Sequence, residues 1–365
     1  MRIIHCADIH LDSPMNRLDS TEKRKERKAE LIKAFTDMVS FASDEDVSAI
    51  IIAGDLFDQS RVSATARNAV MGTIEKYPEI EFYYLKGNHD KTDFPGETEQ
   101  VPDNFHMFSE RWVKYDLGEN TVLYGVEMTG ENSIRIYSEL NPDVTCFNIV
   151  TMHGQDSLST GKDDAQTISV RDLKNKNIDY LALGHVHSYK EERLDSRGLY
   201  CYPGCLEARG YDETGKHGFV LLDINGPSRT CSYRLISHAI RTPHNLKVDI
   251  TGLSRSTDML NRIENELDNA DYPSKDLVEV ELTGEIGFES EKNLSFIGKQ
   301  LEDRYFDFKI KDSTEYKVDY ESYRLDESLK GEFIRTVEAE KDISEEDKAE
   351  IIRMGIKALK GEEIE

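Results

Sequence analysis

The chain has 365 residues, of which 38% are hydrophobic and 32% charged, and a formal net charge of −25. That balance excludes a disordered chain, and the length predicts two domains with a large core in at least one. No apolar run approaches the roughly 18–20 residues of a membrane-spanning helix, and the acidity argues against a chain that grips nucleic acid unaided, since phosphate binding draws on a basic surface.

The N-terminal "MRIIHCAD" reads as a strand, with no room for the apolar stretch of a signal peptide. The cysteines, Cys6, Cys146, Cys201, Cys205 and Cys231, are an odd and scattered set without a CxxC pair. They point to a reducing, cytoplasmic setting. Cys201 and Cys205 could hold zinc with a histidine, or be buried thiols. The charge is spread out, at −12 over residues 1–240, −8 over 241–330 and −5 over 331–365.

After the first strand (2–7), Thr21 to Phe41 predicts a helix with Leu31, Ile32, Phe35, Met38 and Val39 on one face. Residues 47–54, "VSAIIIAG", predict a strand buried on both faces. A helix over 62–76 and the strand "EIEFYYL" follow. The strand–helix alternation predicts βαβ units and a largely parallel sheet. Further strands are expected at "NTVLYGVEM", "TCFNIVTMH" and "IDYLALGH", then antiparallel hairpins from Gly198 to Ser237. A boundary is placed near residue 240. Residues 241–330 alternate strand and helix as a small α+β unit, and 331–365 ends in a helix with Ile352, Ile356 and Leu359 at helical spacing.

Polar groups follow strands in five places: Asp8-Ile9-His10, Gly54-Asp55-Leu56-Phe57-Asp58, Gly87-Asn88-His89-Asp90, His153, and Gly184-His185-Val186-His187. Each has an ordinary reading as a turn, a cap or a satisfied polar residue. In an open α/β sheet, however, loops at the carboxyl ends of strands converge. Converging Asp, His and Asn donors make a metal site, and so many serve two ions better than one.

As a set, "DIH", "GDLFD", "GNHD", "MHG" and "GHVH" resemble the signature blocks of the calcineurin-like metallophosphoesterases. "CADIHLDSP" and "YPGCLEARGYDETGKHGFVLLDI" resemble, more narrowly, the SbcD-type nuclease subunit of bacterial DNA repair exonucleases, including its YhaO-like branch. The likeness covers about residues 1–236; Cys205 stands where that family usually has a serine. It implies a four-layer αββα sandwich (1–240), a smaller α+β capping domain (241–330) and a C-terminal helical segment (331–365). It implies one metal on Asp8, His10 and His187, another on Asn88, His153 and His185, and Asp55 bridging both. Manganese is the implied ion, although such donors also accept iron or zinc. Two ions would lower the pKa of a bridging water toward about 7, so that hydroxide attacks phosphorus. His89 is implied to protonate the leaving oxygen, with Asp90 expected to fix its tautomer and Asp58 to hold a ligand histidine from behind.

The substrate so implied is DNA, cut exonucleolytically and, on single strands, endonucleolytically. An SbcC-like SMC-type ATPase, or a second copy in a homodimer, would supply much of the grip. The basic run "EKRKERK", Glu22 to Lys28, could touch phosphates or be a solvated helix face. The last helix could dock on the ATPase or pack on its own domain. A small-nucleotide phosphodiesterase or phosphatase, or a mainly architectural repair subunit, are the alternatives.

Overall fold

The computed structural model describes residues 1–58, 62–91, 94–96, 100–157 and 167–360. The chain divides into two compact units, Met1–Thr242 and Pro243–Glu365.

In chain order the strands of the first unit are β1 (Arg2–Cys6), β2 (Ala49–Ala53), β3 (Glu81–Leu85), β4 (Phe105–Met107), β5 (Val113–Gly118), β6 (Thr121–Gly125) and β7 (Phe147–His153). The short pair β8 (Gln155–Asp156) and β9 (Thr167–Ile168) follows, then β10 (Tyr180–Gly184), β11 (Lys190–Arg193), β12 (Leu199–Tyr202), β13 (Gly218–Asn225) and β14 (Thr230–Ser237). They form two six-stranded sheets, ordered β14-β13-β1-β2-β3-β4 and β11-β12-β10-β7-β6-β5. Each has a parallel centre, β1-β2-β3-β4 in the first and β12-β10-β7-β6 in the second, with antiparallel strands outside.

Side chains alternate across the second sheet as strand geometry requires. Leu123, Ile149, Tyr180 and Ala182 face Ile3, Ile51, Tyr83 and Leu85 of the first sheet across a shared core. Val122, Val150, Met152, Leu181 and Leu183 face outward, under the short helices Ile136–Glu139 and Val170–Leu173. The outer face of the first sheet carries α1 (Thr21–Asp44), whose Phe41 ring lies 5.3 Å from that of Phe219 on β13. Helix α1 begins where the Ser20 hydroxyl accepts the Lys23 N–H and buries Leu31, Ala34, Phe35, Met38 and Val39 at helical spacing. A second helix, α2 (Ala64–Lys76), is capped in the same way by Ser63. The layers are therefore helix, sheet, sheet and a thin outer layer of short helices and loops.

The second unit begins with β15 (Pro243–Asp249), β16 (Leu277–Thr283), β17 (Glu285–Gly287), β18 (Asp307–Asp312) and β19 (Glu315–Lys317). β15, β16 and β18 form a parallel sheet, and the helices Ser256–Ala270 and Leu294–Leu301 close its core through Met259, Ile263, Leu267, Ile297 and Leu301.

Two local expectations change, and for the last helix the packing alternative is the one observed. Leu199–Tyr202 does not form only an antiparallel hairpin: it also pairs in parallel with β10, because three of its four residues are buried in the sheet. The run Glu22–Lys28 is not a uniform basic face, because Arg27 is buried against Glu207, 2.9 Å away, and Glu30, 2.5 Å away. Arg24 donates to the Leu18 and Asp19 carbonyls. In the helix Glu345–Lys360, Ile352 and Ile356 are buried with Ile334, Val337 and Phe288 of their own unit, and only Leu359 of the three is exposed. Residues 361–365 lie outside the described residues.

Candidate metal centre

The registers explain why distant blocks meet. Ala53 pairs with Leu85 and His153 with Gly184, so the loops after β2 and β3, and after β7 and β10, leave their sheets side by side. The loop after β1 is laced to the one after β2: the Asp8 N–H donates to Gly54 O, and the His10 N–H to Asp55 O. Asp8, His10 and Asp55 have φ near +50°, and His185 has φ 103°. This left-handed backbone, costly for a side-chain-bearing residue, turns each side chain back toward the sheet ends. Gly54, at φ 94°, also leaves no room for a Cβ beside the His153 ring, and a Cβ at Gly184 would strike the Ala53 carbonyl and that same ring.

Two groups of donors result. In one, His10 Nε2 lies 3.2 Å from His187 Nε2, and each is 4.0 Å from Asp8 Oδ1. In the other, His153 Nε2 lies 3.0 Å from Asn88 Oδ1 and 3.3 Å from Asp55 Oδ2, and His185 Nδ1 is 3.1 Å from Asn88 Oδ1. Asp55 Oδ2 is also 3.8 Å from His10 Nε2, which places this carboxylate between the two groups. Asp8, His10, Asp55 and His153 are buried.

The hydrogen bonds behind these residues decide whether the donors suit cations. His153 Nδ1 is 2.9 Å from the Ala53 carbonyl, which can only accept. Nδ1 therefore carries the proton, and a neutral His153 points a lone pair from Nε2 at two oxygens. His187 Nδ1 lies 2.6 Å from Glu213 Oε1, and His10 Nδ1 faces Asp58 Oδ1 at 3.2 Å, a charge contact out of line for a hydrogen bond. The two Nε2 atoms that face each other are then lone pairs as well. Asp8 accepts the His185 N–H and Asp55 Oδ1 the His89 N–H at 2.8–3.0 Å, but imidazole lone pairs converging with Asp55 Oδ2 are unfavourable unless a positive charge sits among them. The oxygen and imidazole donors fit hard or borderline divalent ions.

Protonation follows the same logic. Burial pushes the His153 pKa down, but the Asp55 hydrogen bond and charge carry it up to about 9. Burial likewise opposes ionisation of Asp55, yet His153 and His10 hold its carboxyl well below the ordinary range. A proton and a metal ion would thus compete for one place. His10 is held below its usual value chiefly by burial. Glu213, despite burial, is drawn down to about 2 by His187.

His89 sits outside both donor groups. Its Nδ1 is 2.8 Å from Asp58 Oδ1, its side chain is 45% exposed, and that hydrogen bond raises its pKa, against burial. The carboxylate beside His89 is thus that of Asp58, which also faces His10 and accepts from Arg209 Nη1 at 3.1 Å. This corrects the pairing expected with Asp90. The Asp90 carboxylate turns inward and accepts the N–H groups of Leu56, Phe57 and Gly87 at 3.2, 2.8 and 2.9 Å. Burial raises its pKa to about 6.

Sequence reasoning missed Glu213 and Arg209. Both lie in "LEARGYDETGKHG", a stretch without strand or helix periodicity, where only an unexplained Arg and Glu four residues apart gave a signal. Cys205, in the same loop, is buried 3.2 Å from His217 Nδ1. Cys201 lies in the core between the sheets, and among the described residues neither cysteine joins a cluster of three metal-binding side chains.

The family described as calcineurin-like phosphoesterase matches residues 1–189. The chain is 28% identical over 282 residues to the uncharacterized metallophosphoesterase YhaO of Bacillus subtilis, covering 72% of this chain and 67% of that one. It is 24% identical over 304 residues to the DNA double-strand break repair protein Mre11 of Sulfolobus acidocaldarius, covering 78% and 76%. Among solved structures, a dimetal phosphatase from Danio rerio aligns with a TM-score of 0.42 at 11% identity, over 65% of this chain and 99% of that one.

Proposed function

Because the chain belongs to the calcineurin-like phosphoesterase family, we propose that it is a two-metal phosphodiesterase whose substrate is DNA, cut as an exonuclease and, on single strands, as an endonuclease. The observation that carries this reading is the convergence of seven side chains on two points joined by Asp55. The DNA part rests on the likeness to the Mre11 relatives, which are DNA double-strand break repair proteins.

In this reading Asp8, His10 and His187 hold one ion, Asn88, His153 and His185 the other, and Asp55 both. Manganese is the proposed metal, with iron or zinc compatible with the same donors. Bound there, two divalent ions neutralise phosphate charge and lower the pKa of water into the neutral range. The chain's own residues do the rest. Asn88 contributes an uncharged oxygen, which limits the negative charge crowded into the site. Asp58 keeps the proton of His89 on Nδ1 and raises the basicity of the ring, so that more of it is protonated near neutral pH. His89 then has an Nε2 proton to give to the departing sugar oxygen.

The net charge of −25 supports a division of labour in which an SMC-type ATPase of the SbcC kind, or a second copy of the chain, grips the DNA. The same charge favours a second reading, hydrolysis of small nucleotide diesters, which needs no basic groove. The test is manganese-dependent degradation of labelled single- and double-stranded oligonucleotides beside a small chromogenic diester, with Asp55→Ala and His89→Ala as controls. DNA cleavage by the wild type alone, falling steeply with added salt, supports the nuclease. Cleavage of only the small diester overturns it in favour of the second reading.

A further inference from the structure

The two donor groups differ in what stands behind their histidines. His10 is backed by Asp58 at 3.2 Å and His187 by Glu213 at 2.6 Å. His153 is backed by the neutral Ala53 carbonyl, and among the described residues no carboxylate stands behind His153 or His185. Glu213 is itself firmly held. Its Oε2 accepts the Arg209 N–H at 2.6 Å, and its backbone carbonyl accepts from His217 Nε2 at 2.7 Å. Arg209 brings one guanidinium to this side, 3.1 Å from Asp58 and 3.8 Å from Glu213, so the two carboxylates outnumber it.

A carboxylate that accepts the outer N–H of an imidazole fixes the ring's tautomer and orientation and makes the other nitrogen a stronger donor. We propose that Glu213 is the positioning residue for His187, and that it and Asp58 make the Asp8, His10 and His187 side the tighter of the two ion sites. The inference rests on the two-metal reading above and names what makes its halves unequal. The position of Cys205 fits: its thiol lies 3.8 Å from Glu213 Oε2, and its backbone N–H donates to His187 O. The loop thus ties the main chain of His187 as well as its ring.

The experiment is calorimetric titration of the metal-free full chain with Mn2+, where the wild type should show two ions of unequal affinity. In a His185→Ala background, which leaves the Asp8 side intact, Glu213→Gln should weaken the remaining ion by about 10- to 100-fold. In a His10→Ala background the same substitution should leave the remaining ion within about twofold, because Glu213 touches no residue of that side. Glutamine keeps an acceptor for the Arg209 N–H, and unchanged thermal unfolding of the metal-free variant shows that the loop survives. Equal weakening in both backgrounds, or none in either, overturns the proposal while the two-metal reading stands. A wild type that binds no Mn2+ overturns both.

Discussion

The imidazole of His89 and the carboxylate of Asp90 are adjacent in the chain and point in opposite directions, one toward solvent over the donor groups and the other under the turn. His89→Ala is expected to keep bound metal, measured by elemental analysis, and to lose turnover by about 10²- to 10⁴-fold, the range of a general acid. Loss of metal instead would make His89 a ligand. Asp90→Ala, by contrast, strips the acceptor from three N–H groups and is expected to cost roughly 3 kcal/mol or more in urea unfolding of the metal-free chain. Asp90→Asn, which keeps one oxygen, should cost less. Residue types and strand-end positions were legible in the sequence, but pairings were not. Asp58 reaches His89 across 31 positions because β2 and β3 are neighbours in parallel register, and a linear motif shows only the adjacent Asp90.

The basic run on α1 shows the same limit for an element. Five charged side chains of one sign look equivalent in sequence, yet the helix turns Arg27 inward, 1% exposed, against the fully buried Glu207. Arg27 also donates to the Ala208 carbonyl, so it anchors the loop that carries Arg209 and Glu213. Arg27→Ala leaves the Glu207 carboxylate buried without its guanidinium and is expected to cost about 3–5 kcal/mol by chemical denaturation. Lys25→Ala, on the exposed face of the same run, should stay within about 0.5 kcal/mol. A comparable cost for both would mean that the inward turn of Arg27 contributes nothing. Helix periodicity had already placed Leu31, Ile32, Phe35, Met38 and Val39 on one face, all buried except the half-buried Ile32; a charged residue belonging to that face breaks the pattern by which buried faces are recognised.

For the whole molecule, the strand–helix alternation gave the parallel centre of the first sheet. Nothing in the periodicity marks β6 as entering a second sheet, or places β13 antiparallel beside β1, because pairing partners far apart in sequence leave no local trace. Between the sheets lies a buried histidine that the site does not use: His5, 2.9 Å from the Tyr180 hydroxyl. Burial lowers its pKa from an ordinary 6.5 to about 3. Between those values the unfolded chain binds the proton and the folded chain does not, so this contribution is fully present above pH 6.5 and is lost as pH falls toward 3. The wild type should therefore lose about 1.4 kcal/mol per pH unit more than His5→Gln across the middle of that window, measured by urea unfolding. Parallel acid limbs in the two proteins would exclude His5 as the source.

Four of the candidate ligands, Asp8, His10, Asp55 and Asn88, ride on loops of the first sheet, and three belong to the second, His153 as the last residue of β7 and His185 and His187 in the loop after β10. The seam between the sheets is otherwise closed mainly by apolar contacts, with the His5–Tyr180 and His153–Ala53 hydrogen bonds among them. In the proposed reading, a pair of divalent cations held across its open end would act as a removable rivet, adding stability only to the folded form. Chelation should then speed amide exchange at the carboxyl ends of β1, β2, β3, β7 and β10 before it is felt at the opposite ends of the same strands. The polypeptide would carry its catalytic charge and its mechanical fastening in one set of atoms.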